Sequence, residues 1–305
     1  MLIALVPAVL GSDFLFGLGV LPYYLVAVVS ALAADWVVKL VKTKRISRFD
    51  LSPVVTGVLL AMSLPLGVPL WFAMLGPVIG IVVAKELFGG IGFNFLNPAL
   101  FGRLVLRLLF AEEMLQNPLP RVPFGMASDI DVMAQATPLA IVKEGGALTS
   151  GELWDSFLGL TGGKMGETSA LLLLMGAVWL FAFRIIRPRI PVAFLASIAA
   201  MAFVFGGPQG LFSGTWQTVA GHLLGGATVL GAFFMITDYS SSPSAPAAQI
   251  LFGVLCGVVT MLFRLYSPWS EGFTFAILIV NLCVPLMNAF VRPRVLGEKR
   301  MRANT

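Results

Sequence analysis

The sequence predicts an all-α polytopic membrane protein of about ten transmembrane helices, set in two repeat-like halves with broken helices. Three observations carry this. First, hydrophobic residues make up 58% of the chain and charged residues only 11%, with a mean hydropathy of +0.93, whereas a soluble globule is about 25% charged. Second, the apolar residues gather into runs with Lys and Arg at their ends. Third, Gly- and Pro-rich breaks interrupt those runs at matching places, residues 89–98 and 237–243. A net charge of +5 and a pI near 9.5 would suit nucleic acid in a soluble chain. Here the basic residues flank membrane segments and set orientation, so no nucleic-acid partner is expected.

Taken in order, the first apolar run, residues 2–10, meets Gly11, Ser12 and Asp13 too early for a full span of about 20 residues. Either Met1 lies within a helix, or the helix continues past Asp13 to about Val20. No basic segment precedes it, so a secretory signal is not predicted. Residues 22–40 form a clean span closed by Lys39, Lys42, Lys44, Arg45 and Arg48, which mark the cytoplasmic side. Asp35 stands four residues from Lys39, an i,i+4 pair near the membrane edge. Residues 51–66 and 69–87 make a helical hairpin, turning between Pro65 and Pro69 and returning to the cytoplasm at Lys85 and Glu86.

The break that follows holds Gly89, Gly90, Gly92, Asn94, Asn97 and Pro98. Asn97 is the predicted N-cap and Pro98 the first residue of a helix that starts in apolar surroundings. Such a start is tolerated only where protein or a cavity covers it, so it is either a small-ligand site or an interfacial turn. Arg103 and Arg107, one turn apart beyond it, cannot both face lipid.

Residues 1–110 are the predicted first membrane half, with five helices. Residues 111–167 turn acidic, with Glu112, Glu113, Asp129, Asp131, Glu144, Glu152 and Asp155 against few basic residues, and by parity lie outside the cytoplasm. Residues 168–291 form a second half with spans at 169–183, 191–205, 219–236, 250–265 and 272–291. Residues 292–305 are a basic cytoplasmic tail, and Arg184, Arg187 and Arg189 fall in one cytoplasmic loop. The halves echo each other: Gly225-Gly226 leading to Thr237, Asp238 and Pro243 matches Gly89-Gly90 leading to Asn97-Pro98.

In the middle of the acidic segment Ala136, Thr137, Pro138 and Leu139 follow Asp131. Pro138 biases Thr137 toward extended backbone and holds its hydroxyl out. Thr137-Pro138 is also an ordinary cap and first-turn pair for a helix over residues 139–144 that stops at Gly145-Gly146, and one residue can serve both ends. His222, the only histidine, has no second ligand nearby and is placed in structure. Cys256 and Cys283 lie in separate apolar runs, which excludes a four-thiolate cluster within this chain and points to core packing. No metal site is expected. The Gly89-Gly90-x-Gly92 stretch follows a membrane helix rather than a strand and is no nucleotide fingerprint.

The stretch Asp131 to Leu139 resembles the covalent flavin-attachment loop of the Rnf complex D subunit and its relative, the B subunit of the sodium-pumping NADH:quinone oxidoreductase. That loop has the pattern Asp-x-x-Ser/Thr-Gly-Ala-Thr, often with Pro-Leu after it; Ala134 and Gln135 depart from it here. Phe93-Asn94-x-x-Asn97-Pro98-Ala99, Gly166-Glu-Thr-Ser-Ala170, Thr237-Asp238-Tyr-x-x-Ser242-Pro243 and residues 271–294 from Glu271 to Arg294 are similar to family sequence in the same order. The resemblance runs from about Leu2 to Gly297, and the family normally has further residues before this point.

The resemblance implies a membrane subunit of an ion-translocating ferredoxin:NAD oxidoreductase, not catalytic alone, that works with the A, B, C, E and G subunits. Electrons from ferredoxin would pass through iron–sulfur subunits to flavins on the outer side. It implies FMN phosphoester-linked to Thr137 by a flavin transferase, with Asp131, Ala136 and Pro138 as the loop around it. A second, non-covalent flavin such as riboflavin would enter a cavity lined by Asn94, Asn97, Arg103, Thr237 and Asp238. Its ring would stack on Phe93 or Phe95, unless Arg103 and Asp238 simply neutralise each other. The residues alone also leave open a solute channel of the urea- or ammonium-channel type, with broken helices lining a pore and Thr137 only a cap.

Overall fold

The computed structural model describes residues 1–43, 50–90, 92–119, 137–143, 146, 148–167, 169–206, 212, 214–267 and 272–291, and these contain helices and turns but no strand. Helix α1, Leu2–Phe16, runs past Asp13 and stops at Gly17, whose φ of 82° an L side chain resists. After a 3₁₀ turn, α2 spans Leu21–Thr43. Helix α3 is Ser52–Met62, opened by Pro53 in its first turn, and α4 is Leu70–Ile79. A π-helical stretch, Gly80–Glu86, continues α4 to the break. Asn97 then caps α5, Pro98–Leu109, its side chain accepting from Ala99 N at 3.0 Å and Leu100 N at 3.3 Å.

Three short helices lie in the acidic segment: α6 at Ala111–Leu115, α7 at Pro138–Lys143 and α8 at Ser150–Leu158. The second half contains α9 Ala170–Ala182, α10 Arg189–Phe205, α11 Trp216–Leu224 and α12 Thr228–Leu230, the last continued by a second π-helical stretch, Gly231–Met235. Helices α13 Pro246–Tyr266, α14 Phe273–Leu282 and α15 Val284–Phe290 complete the described chain.

Among the described residues two helical segments, Leu18–Lys42 and Pro246–Tyr266, are long and apolar enough to cross a membrane. Two bent pairs raise this to four: α11 with the α12 segment, bent by 65°, and α14 with α15, bent by 46°. The expected spans at 219–236 and 272–291 are therefore bent. The first yields at Gly225-Gly226 and the second at Cys283, just before Pro285, which cannot donate to the preceding turn. Helices such as α3, with 11 residues, reach only about 16 Å of a hydrocarbon core about 30 Å thick, so the bundle itself must cover their ends.

Packing interleaves the two halves. Helix α1 lies on α9, α5 meets α14, and α2 is flanked by α3 and α4. The most extensive contact joins α10 and α13. There Gly253 and Gly257, four residues apart, let the backbones approach: a Cβ at either would stand 2.7 Å from Ile190 O or Phe194 O. Cys256 is buried in this seam as expected, whereas Cys283 is exposed on the outer face of the bundle.

The two Gly-Gly pairs that the sequence aligned sit differently in the chain. Gly89-Gly90 follows a π-helical stretch, but Gly225-Gly226 precedes one. The order π-helix, loop, Pro-initiated helix occurs twice among the described residues, ending at Pro98 of α5 and Pro246 of α13.

Candidate functional site

The two breaks meet. Asn97 Nδ2 donates to Met235 O at 3.0 Å, tying the start of α5 to the end of the second π-helical stretch. π-helical turns leave carbonyls off the regular ladder, and here one is satisfied by a side chain from the other half.

The expected single cavity does not form around all five named residues. Asn94 is buried with its amide on Leu96 O at 3.1 Å. Asn97 is used up by the cap and by Met235. Arg103 is buried and pairs with Glu167, not Asp238, and its guanidinium lies 4.9 Å from the Phe273 ring centre. The Asp238 side chain accepts from Ser241 Oγ at 3.0 Å and Ser240 Oγ at 3.2 Å. Burial pushes its carboxyl above the usual range, and those hydroxyls together with the Ser240 and Tyr239 amides pull it part of the way back. Bonds within the chain, local at Asn94 and Asp238 and long-range at Asn97 and Arg103, thus outcompete a shared ligand site at four of the five positions.

Thr237 lies in the wall of a substantial cavity among the described residues. It has a volume of about 500 Å³ and is walled by Gly92, Arg184, Arg187, Ser240, Ser242 and Gln249, among others. A small-molecule site typically occupies 300–1,000 Å³. Phe93 and Phe95 are 69% and 40% exposed and are not in its wall.

Thr137 lies at the opening of α7 and is partly exposed. It caps the helix: Ala140 N–H donates to its Oγ1 at 3.2 Å. Val142, Leu148 and Leu153 form a small apolar cluster that anchors α7 and α8 to α11. Thr137 and Pro138 share a cleft of about 30 Å³ with Asn117, Lys164, Glu167 and Gly225. Lys164 is 1% exposed and donates to Met114 O at 2.9 Å, Gln116 O at 2.6 Å and Asn117 Oδ1 at 3.1 Å. The cleft would hold a water or two but not a flavin ring. A group on Thr137 would extend away from it, with buried Lys164 in the cleft wall behind, alongside the Glu167 carboxylate. Asp131 and Ala136 lie outside the described residues.

Sequence reasoning missed three groups, Lys164 of the Thr137 cleft being one. Glu167 stood in a quoted motif but was not matched to Arg103. Arg264 of α13 is 1% exposed and clamps the second break, donating to His222 O at 2.7 Å, Gly225 O at 3.3 Å and Thr228 Oγ1 at 2.6 Å. A lone arginine inside an apolar run was the available signal. At the C-terminal end of α2 Lys39 bonds Asp35 at 2.6 Å as expected, and buried Lys85 adds bonds to Asp35 at 2.8 Å and Asp50 at 2.9 Å.

Fold and site define an all-helical, multi-pass membrane protein with helix breaks joined at its centre. The chain belongs to the family described as NQR2, RnfD, RnfE family, which matches residues 1–297. It is 38% identical over 303 residues to the D subunit of the Na(+)-translocating ferredoxin:NAD(+) oxidoreductase complex of Acetobacterium woodii, covering 99% of this chain and 90% of that one. It is 35% identical to the D subunit of the ion-translocating oxidoreductase complex of Escherichia fergusonii, over 98% of this chain and 93% of that one. The D subunit of the proton-translocating ferredoxin:NAD(+) oxidoreductase complex of Clostridium ljungdahlii is 34% identical, over 98% and 90%.

Proposed function

We propose that this chain is a membrane subunit of an ion-translocating ferredoxin:NAD(+) oxidoreductase complex and carries FMN esterified to Thr137. The observation that supports it best is similarity along nearly the whole length of relatives so named, with Thr137 partly exposed on an anchored helix start. A bound flavin supplies electron transfer. The chain's own residues hold it: Thr137 provides the oxygen of the phosphoester, α7 fixes that oxygen against α11, and Lys164 lends positive charge behind the phosphate. The A, B, C, E and G subunits are the partners in this reading, and a flavin transferase completes the protein.

The same reading has about ten crossings in two halves, both termini in the cytoplasm and Thr137 outside. A second, non-covalent flavin such as riboflavin would occupy the cavity of about 500 Å³ beside Thr237, where Ser240, Ser242 and Gln249 offer hydrogen bonds to a ring imide. Asn97 and Asp238 then hold the wall without touching the ligand.

The test is mass spectrometry of the peptide containing Thr137 from protein made with the flavin transferase. An FMN adduct on Thr137 that disappears in Thr137→Ala, while the variant stays folded in the membrane, is the expected result. An adduct elsewhere, or none, would overturn it. Flavin released by denaturing Thr137→Ala, and lost on adding Thr237→Leu, would identify the second site.

A further inference from the structure

Two cavities share a wall at the C-terminal end of α9. The turn after α9 closes with Arg184 N–H donating to Phe181 O at 3.0 Å and Ile185 N–H to Leu180 O at 2.9 Å. This is a Schellman-type stop, and its left-handed residue, at φ 54°, is Arg184 where glycine is usual. A side chain at that φ is strained, so the turn holds an arginine at a conformational cost. Ile186 turns back into the core, while Arg184 and Arg187 stay exposed with no ion pair among the described residues.

On one side of this turn is the polar cavity beside Thr237. On the other is an apolar groove of about 750 Å³, walled by Phe181, Pro188, Val192, Leu195 and Phe233, with Arg184 and Arg187 at its mouth. Neither wall contains an acidic residue. The groove lies against bilayer-facing surface, since Phe183 and Val192 are both 60% exposed. Helix α10 starts beside it with Pro188 as N-cap and no side chain satisfying its first turn, so the amides of Arg189 and Ile190 have no helical acceptor.

We propose that this groove binds one anionic phospholipid. Its phosphate sits between Arg184, Arg187 and the first turn of α10, and an acyl chain follows Phe181, Val192, Leu195 and Phe233. The apolar wall calls for a hydrocarbon occupant, and in a membrane the hydrocarbon at hand is lipid. Two arginines with no ion pair among the described residues, at the start of an uncapped helix, select a negatively charged headgroup over a zwitterionic one. The assignment does not rest on any flavin being bound.

Native mass spectrometry of the purified protein from nanodiscs of phosphatidylglycerol and phosphatidylcholine tests it. One phosphatidylglycerol is expected to stay bound in preference to phosphatidylcholine, and to persist in about 1 M salt, where the Debye length is about 3 Å and diffuse attraction is screened. Arg184→Gly with Arg187→Gln should lower its retention about tenfold or more. Glycine suits the left-handed turn, so this variant should unfold no earlier than the parent in lipid-free detergent. Val192→Trp, which fills the groove and leaves both arginines, should also lose the lipid. Equal retention of the two lipids, displacement by inorganic phosphate alone, or unchanged retention in both variants would overturn the proposal.

Discussion

At the scale of single residues, the centre of the protein depends on polar side chains that each close two structural gaps. Asn97 caps α5 and satisfies a carbonyl of the second π-helical stretch with the same amide. Asn97→Leu keeps the branched shape but removes both functions. A lost cap costs about 1 kcal/mol and an unsatisfied buried carbonyl about 1–3 kcal/mol, so a loss of about 2–4 kcal/mol is expected in detergent unfolding. Asn97→Asp keeps the cap oxygen but cannot donate to Met235 O, and should also be destabilised. Glu167→Ala leaves the Arg103 charge buried beside Phe273, and breaking such a pair costs about 3–5 kcal/mol. Glu167→Ala with Arg103→Leu should recover part of that loss. The cap at Asn97 was legible in the sequence because Asn-Pro before an apolar run is a local signal. The Arg103 partner was not, since residues 64 apart in sequence share no local signal and Asp238 was an equally charged choice.

At the scale of elements, helix starts followed their sequence cues and helix bends did not. Pro98, Pro138 and Pro246 each open a helix at the first position, where the missing N–H is no loss. Gly225-Gly226 was marked as the counterpart of Gly89-Gly90 but kept inside one span, and the bend at Cys283 lies in a run apolar enough to be taken as continuous, because hydropathy does not record backbone direction. Helix α8 shows the local logic in isolation. Its capping box joins Thr149 Oγ1 to Glu152 N at 3.3 Å and Glu152 Oε2 to Thr149 N at 2.7 Å. These bonds favour the ionised carboxylate and hold Glu152 below its ordinary value of 4.5. A depressed acid pKa contributes stability above the unfolded value, and that contribution is lost as pH falls through the folded one. Corrected for the intrinsic slowing of amide exchange in acid, protection of the α8 amides should therefore be greatest near pH 7 and fall as acid protonates Glu152. Glu152→Gln should remove most of that pH dependence, and Thr149→Ala should weaken protection at every pH.

At the scale of the whole molecule, the halves are not two side-by-side bundles. Helix α1 of the first packs on α9 of the second, α5 meets α14, and Asn97 reaches Met235, so each half covers short helices of the other. The membrane class was legible from composition alone, because 58% hydrophobic and 11% charged residues admit no soluble alternative. The interleaving was not, since apolar periodicity says which face is buried but not against what. Orientation is the property that joins this architecture to the proposed chemistry. In the proposed reading α1 to α4, α5, α9, α10, the bent α11 and α14 pairs, and α13 are the ten crossings. An even number leaves both ends on one side, with Arg184, Arg187 and Arg189 beside them and Thr137 opposite. If one bent pair were instead a re-entrant loop, the count would be odd, and the basic clusters would fall on both faces. Single cysteines at Ala147 and Thr305, in a Cys283→Ala background, probed with an impermeant maleimide in right-side-out cells, separate the cases. The cysteine at Ala147 should label at once, and the one at Thr305 only after permeabilisation. Labelling of both before permeabilisation would indicate an odd count. The reverse order would put Thr137 in the cytoplasm and remove the proposed outer-face route for its flavin.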